Sequence, residues 1–210
     1  MPKLNVPPTK SSLLALKRQL AFAKEGYDLL EQKRQILVLE LMSRLDRAAA
    51  AERKVREALA LAFAALREAS LDVGSAAVDR AALGVRMDHR TELDQQPLMG
   101  LRLPRVTAQV EPAKAQFGLV GTSASADVAM RRFVELLPLL VELAELENAV
   151  LRLARELRKT QRRCNALSKI FIPDYHETIV CITATLEERE RESFVILKMI
   201  RDRMRRSAVP

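Results

Sequence analysis

From residue 13 onward the apolar positions advance in alternating steps of three and four. Leu13, Leu16, Leu20, Ala23, Tyr27, Leu30, Leu37, Leu41, Ala48, Ala51, Val55, Ala58, Ala62 and Ala65 keep the pattern, and Arg34 and Arg44 occupy two of its positions. A 3.5-residue repeat held for about seven heptads specifies a left-handed coiled coil rather than a globular helix. The seam is Leu-rich to Leu41 and Ala-rich from Ala48, so the helices can approach more closely in the second half. Thr9 or Ser12 can cap the helix, after a tail that ends in Pro7 and Pro8. Gly26 interrupts the first half at about 1 kcal/mol relative to Ala, for which a close packing contact and a tolerated surface position are equal explanations.

A second helical pattern occupies 162–204, through Cys164, Leu167, Phe171, Tyr175, Ile179, Ile182, Leu186, Phe194, Leu197, Ile200 and Met204. As one helix it would be about 65 Å long at ~1.5 Å per residue, too long to stand without a partner running along it. The N-terminal pattern is that partner. Ser123 to Asp127 reads as a helix start, and Phe133, Leu136, Leu140, Leu143, Val150 and Leu157 carry the return seam toward Cys164. Two prolines interrupt this strand. Pro138 predicts a kink or a late helix start, and Pro173 falls where the seam steps four, four, four from Leu167 to Ile179. Such a stutter locally unwinds a supercoil, so an irregular or bent helix is expected there.

Between the patterns, periodicity is lost. Gly74, Gly84, Gly100, Gly118 and Gly121 lie in 71–126 with Pro97, Pro104 and Pro112. Partial alternation over 85–93 and 101–110, around a turn region at 94–100, predicts a short β-hairpin or an irregular cap where the chain reverses. A lone hairpin is marginally stable, so it must pack on the helices or on a partner. The expected fold is all-α: a long antiparallel two-helix coiled coil with a short irregular or β-hairpin insert at the turn end. Its segments are 1–70, 71–125 and 126–206.

Composition adds little to this and excludes much. Aromatic residues are 4% of the chain, Trp is absent and glycines number six in 210 residues, which favours extended helices over a thick core. The net charge is +8, and 151–206 carries 14 Lys and Arg against 8 Asp and Glu, so the excess sits in the last helix. A solvated helix surface explains that excess best, because acids are interleaved and no aromatic platform accompanies the bases. Cys164 and Cys181 would lie about 25 Å apart on a straight helix, beyond disulfide reach, and read as small apolar fillers in a reducing cytosol. No signal peptide and no stretch of 18 apolar residues is recognisable, so membrane association is expected through partners.

Catalytic chemistry is nearly missing from the pattern. Gly118, Gly121, Thr122 and Ser123 form a Gly-containing loop before a helix, without the Lys of a phosphate-binding loop. His89 and His176 have no Cys or second His at ligand spacing, so neither metal nor cofactor is expected. Glu187, Glu188, Glu190 and Glu192, interleaved with Arg189 and Arg191, read as an exposed ion-pair face rather than an acid pair.

Several blocks carry a resemblance. Pro8-Thr9-Lys10, Leu13, Leu16-Lys17, Leu20, Ala23, Gly26, Leu29-Leu30 and Lys33-Arg34 form the first; Met99-Gly100-Leu101, Leu103 and Pro104 the second; Gly118-Leu119, Gly121, Thr122 and Ser123 the third. The most specific is Arg162-Arg163, Asn165-Ala166-Leu167, Ile172-Pro173, Glu177, Ile179, Leu186-Glu187-Glu188, Glu190-Arg191-Glu192, Phe194 and Lys198. Together they resemble the D subunit of the V/A-type (vacuolar/archaeal-type) rotary ATPases over nearly the whole chain. Departures are Ser168-Lys169, where an acidic residue is common, and Ile196-Leu197, where Arg-Leu is usual.

The resemblance implies a non-catalytic central-stalk axle that couples proton or sodium translocation through a membrane ring to ATP synthesis or hydrolysis. Its implied partners are the hexameric head of A and B subunits, the F subunit and the funnel-shaped subunit above the ring. The implied location is cytoplasmic and peripheral to the membrane. Met99, Gly100, Leu103 and Pro104 become candidate partner contacts, as do Arg201, Arg203, Arg205 and Arg206, which could meet acidic loops of the head. Two other classes fit the helices less well: a structural tethering coiled coil, and a basic helical nucleic-acid-binding protein. Neither explains the Gly/Pro-rich insert or the Ile172-Pro173 interruption, so no nucleic-acid partner is expected.

Overall fold

The computed structural model describes residues 4–85, 89–111 and 123–207, with side chains described as far as Met204. The order is α1 (Lys10–Val73), α2 (Ser75–Leu83), β1 (Arg90–Leu98), β2 (Leu101–Gln109), α3 (Ala124–Ala166), a π-turn (Leu167–Phe171) and α4 (Ile172–Ser207). The helical coiled coil and antiparallel hairpin expected from the sequence are both present. Two compact units are distinguished: Met1–Gln35 with Arg158–Pro210, and Ile36–Leu157.

Thr9 caps α1. Its hydroxyl accepts the backbone N–H of Ser12 at 3.2 Å and meets the Ser12 hydroxyl at 2.8 Å. Every expected seam position of α1, the two arginines included, is buried or half-buried. The helix stops at Gly74, whose φ of 81° and ψ of 150° suit a residue without a Cβ. Its N–H returns to the Ser70 carbonyl at 3.1 Å. The sequence pattern missed α2. Its SAAVDRAAL sequence is helix-favouring but has no buried face, so it carries no periodic signal.

In the first unit, Leu16 and Ala23 of α1 and Cys164, Thr178 and Ile182 of the return strand are buried. The strand is irregular where the stutter predicts. Ile172 donates its N–H to the Leu167 carbonyl five residues back, which is a π-turn. Pro173 has no N–H to give the next carbonyl, and the wider turn takes up the four-residue steps. At Pro138 the outcome differs from a late start: α3 begins at Ala124 and runs through it. Among the described residues Gly26 has nothing within 4 Å of where a Cβ would stand, so no contact there requires glycine.

In the second unit, Ala51, Val55, Ala62, Ala65 and Ala69 of α1 and Ala126, Ala129, Leu136 and Leu146 of α3 form the buried seam. Phe63 and Phe133 meet edge to face at 5.7 Å and 88°. Beside the turn, Ser125 donates to the Asp72 carboxylate at 2.6 Å.

The hairpin pairs Leu98 with Leu101, so its turn is only Met99 and Gly100. Both have positive φ, 48° and 80°, as a type I′ turn requires. The expected turn region at 94–98 is therefore strand. An exposed edge tolerates Asp94, Gln95 and Gln96, and Pro97 lies on the same edge strand. The strands do not cap the far end of the helices. Leu103 packs with Leu37, Ala149 and Leu153, and Leu41, Leu98, Leu101 and Leu157 border that cluster.

Candidate functional site

The hairpin is held by a match between strand edge and helix. In a two-residue hairpin the closing pair exchanges backbone bonds, so Arg102, Pro104 and Val106 turn their backbone groups away from β1. An unpaired buried amide there would be costly. Glu145 of α3 accepts the Val106 N–H at 2.7 Å, and Arg152, two turns along, donates to the Arg102 carbonyl at 2.7 Å. Pro104 lies between them and has no N–H to satisfy. α3 thus acts as the neighbouring strand, one acceptor and one donor in place of a ladder. Nothing in the sequence marked Glu145 or Arg152, since lone charges on a helix read as solvated.

The proposed contact residues divide here. Leu103 and Pro104 are buried among the chain's own elements, with Leu103 fully so. They anchor the hairpin and offer no free surface. Met99 and Gly100 form its exposed tip, with Met99 47% exposed. A non-glycine residue at φ 48° is strained by about 1–2 kcal/mol, so the turn holds Met99 against its backbone preference.

At the other end of the return strand, α4 meets the start of α1. Lys10 Nζ lies 2.7 Å from Glu190 Oε1, and Arg189 donates to the Pro8 carbonyl at 3.2 Å. The hydrogen bond between Lys10 and Glu190, with their mutual attraction, raises the lysine pKa and lowers that of the carboxyl. Arg191 pairs with Glu188 at 3.3 Å and with Glu187 at 3.8 Å, so the ion-pair face is present and two of its members tie down the N-terminus.

Beyond this level the large apolar side chains of α4 are exposed. Phe194, Val195, Ile196, Leu197, Met199, Ile200 and Met204 are all exposed, Phe194 by 70%. The seam expected through Phe194, Leu197 and Ile200 is thus exposed, past the level of Glu190 where α1 begins. Residues 194–197 are four consecutive apolar side chains, and at 100° per residue they point to every side of the helix. A helix apolar all round is normally a buried one. Among these residues, Arg201 bonds Asp202 through Nε at 3.0 Å and Nη2 at 2.7 Å, and Arg203 is exposed. The side chains of Arg205 and Arg206 lie outside the described residues.

Between the ends, the seam carries a polar layer. Arg34 forms a forked pair with Glu31, with its Nε 2.8 Å from the carboxylate, and both act electrostatically on Cys164. Burial first, then the Glu31 charge, pushes the Cys164 thiol pKa up. Both cysteines are free thiols.

Most of the Gly-containing loop, residues 118–122, lies outside the described residues, while Ser123 accepts the Ala126 N–H at 3.0 Å and starts α3. Among the described residues no group of three or more His, Cys, Asp or Glu is placed to hold a metal. No described helix is long and apolar enough to cross a membrane. Several buried seam residues, namely Leu146, Ala149, Leu153, Thr160 and Thr178, were not in the expected return pattern, and Leu140, which was, is 39% exposed. Ala149 and Leu153 face β2 as well as α1, so no single 3.5-residue stripe describes them.

Known proteins match this chain along most of its length. A family model described as the ATP synthase D subunit matches residues 12–202. The A-type ATP synthase D subunit of Methanosphaera stadtmanae is 38% identical over 199 residues, 93% of each chain. That of Pyrococcus furiosus is 38% identical over 201 residues, 94% of each. The second V-type ATP synthase D subunit of Treponema pallidum is 40% identical over 201 residues, 96% of each. With both ends and the hairpin inside the matched span, the chain belongs to the D-subunit family of A-type and V-type ATP synthases.

Proposed function

We propose that this chain is the central-stalk rotor of an A/V-type synthase, a non-catalytic axle. It couples proton or sodium translocation through a membrane ring to ATP synthesis or hydrolysis in the A/B head. The carrying observation is the apolar girdle at 194–197, exposed on all sides beyond the start of α1. A single partner helix covers one stripe; a girdle suits a sleeve that encloses the helix. The head is that sleeve in this reading, with Arg201, Arg203, Arg205 and Arg206 meeting its acidic loops. A two-stranded coiled coil turned inside a ring of similar interfaces presents a different face to each. Its angle then biases each nucleotide site in turn. The F subunit and the funnel-shaped subunit above the membrane ring bind elsewhere on the chain, with the Met99–Gly100 tip as a candidate contact. The protein thus works on the cytoplasmic side, peripheral to the membrane.

The test is reconstitution with the F subunit and an A/B hexamer. One copy per hexamer, altered ATP hydrolysis and rotation of a bead on the stalk are expected. A chain that stays apart and forms only its own oligomers would overturn the axle reading in favour of a tether.

A further inference from the structure

The first unit softens at one level on both strands. On α1 no residue between Ala23 and Leu37 is buried, and on the return strand none between Cys164 and Thr178 is. The flanks are packed, with Leu16 and Ala23 on one strand and Thr178 and Ile182 on the other. The return strand carries its π-turn and Pro173 inside its gap. α1 carries Gly26 inside its own, at a site where a Cβ would meet nothing among the described residues. Counting along the antiparallel pair from the level of Glu31, Arg34 and Cys164 toward that of Lys10 and Glu190 sets Gly26 opposite the π-turn. Glycine, π-turns and proline are the recognised causes of helix bending, and here all three coincide in a stretch whose seam residues are only half-buried.

We propose that the coiled coil contains a built-in bending joint at the level of Gly26 and the π-turn Leu167–Phe171, bounded on one side by a polar pin between the strands. The pin is Lys10–Glu190 with Arg189 on the Pro8 carbonyl, while the Glu31–Arg34 pair on the other side of the joint lies within α1 itself. The pin keeps the start of α1 beside α4 while the joint bends, so the tip bearing Phe194 can swing. The joint stands on the packing of this chain alone and does not depend on the axle reading.

Hydrogen exchange on the full-length chain, read by mass spectrometry, tests it. Residues 24–33 and 165–177 should exchange faster than 16–23 and 178–186. Gly26→Ala should slow exchange in 24–33 by about fivefold, the size of one glycine-to-alanine change in a helix, and should slow 165–177 with it. Pro173→Ala, which restores the missing N–H, should slow both segments as well. Equal protection of the four segments would overturn the joint. So would a Gly26→Ala effect confined to α1, which would mean local helix propensity and not one device spanning both strands.

Discussion

The hairpin and the tip of α4 both display short runs of apolar residues beside the coiled coil, and the chain treats them oppositely. Leu103 is fully buried against Leu37, Ala149 and Leu153, while Phe194 and Leu197 are exposed. The hairpin has edge polar groups as well as apolar ones, and α3 answers both through Glu145, Arg152 and the leucine cluster. The tip extends past the first residue of α1, so among the described residues no second strand answers it. Similar apolarity therefore marks a completed contact in one region and an open one in the other. The distinction lies in the partner and not in the residues.

The strongest way to break this contrast is Leu103→Ala. Truncating a fully buried leucine should destabilise the chain by about 2–5 kcal/mol in denaturant unfolding. Leu93→Ala on the exposed edge strand should change it by less than ~0.5 kcal/mol. If both cost the same, the hairpin is not anchored through Leu103.

Next in size is Glu145→Ala, which leaves the Val106 amide without its acceptor. A loss of about 1–3 kcal/mol is expected by the same measurement, together with faster amide exchange in β2. Met99→Asn should act in the opposite sense. Asn tolerates positive φ, so the turn should relax and the chain gain about 1 kcal/mol. Lost coupling in the reconstituted complex despite that gain would place a partner at Met99.

The double change Phe194→Ala with Leu197→Ala sharpens the comparison by its smallness. Stability of the isolated chain should move by less than ~0.5 kcal/mol, because neither side chain is buried. Assembly with the A/B hexamer should weaken. The smallest effect belongs to the Lys10–Glu190 pin. The carboxyl is depressed by the lysine, so its contribution is present above the ordinary 4.5 and is lost as pH falls through the lowered value. The lysine is raised, so its contribution is complete below 10.5 and is lost as pH rises through the higher value. The pin is therefore intact across neutral pH. Because both groups are exposed, salt should erase most of its effect on exchange at the α1 N-terminus.

Much of the fold was legible because the α1 seam is one-sided. The positions from Leu13 to Ala65 keep one 3.5-residue period, and Leu37 meets the hairpin without leaving it. The stutter at Leu167, Phe171 and Tyr175 was legible for the same reason, and the π-turn is its structural form. The return seam was harder to read because Ala149 and Leu153 serve α1 and β2 together. The hairpin tip was visible as Met99 and Gly100, but its extent was not. Asp94, Gln95 and Gln96 look like turn residues, and only an exposed strand edge makes them acceptable.

The sequence by itself determined the two helices, the phase of the first seam, the site of the irregular turn and the family. These follow from local periodicity and from ordered motifs, both written along the chain. Tertiary structure alone decided that the hairpin folds back onto Leu37 and α3, that Leu103 and Pro104 are anchors, and that Glu145 and Arg152 hold β2. It alone decided that the apolar tip of α4 is left open. Each of these depends on which distant surfaces meet, and burial is a property of that meeting and not of any residue taken singly.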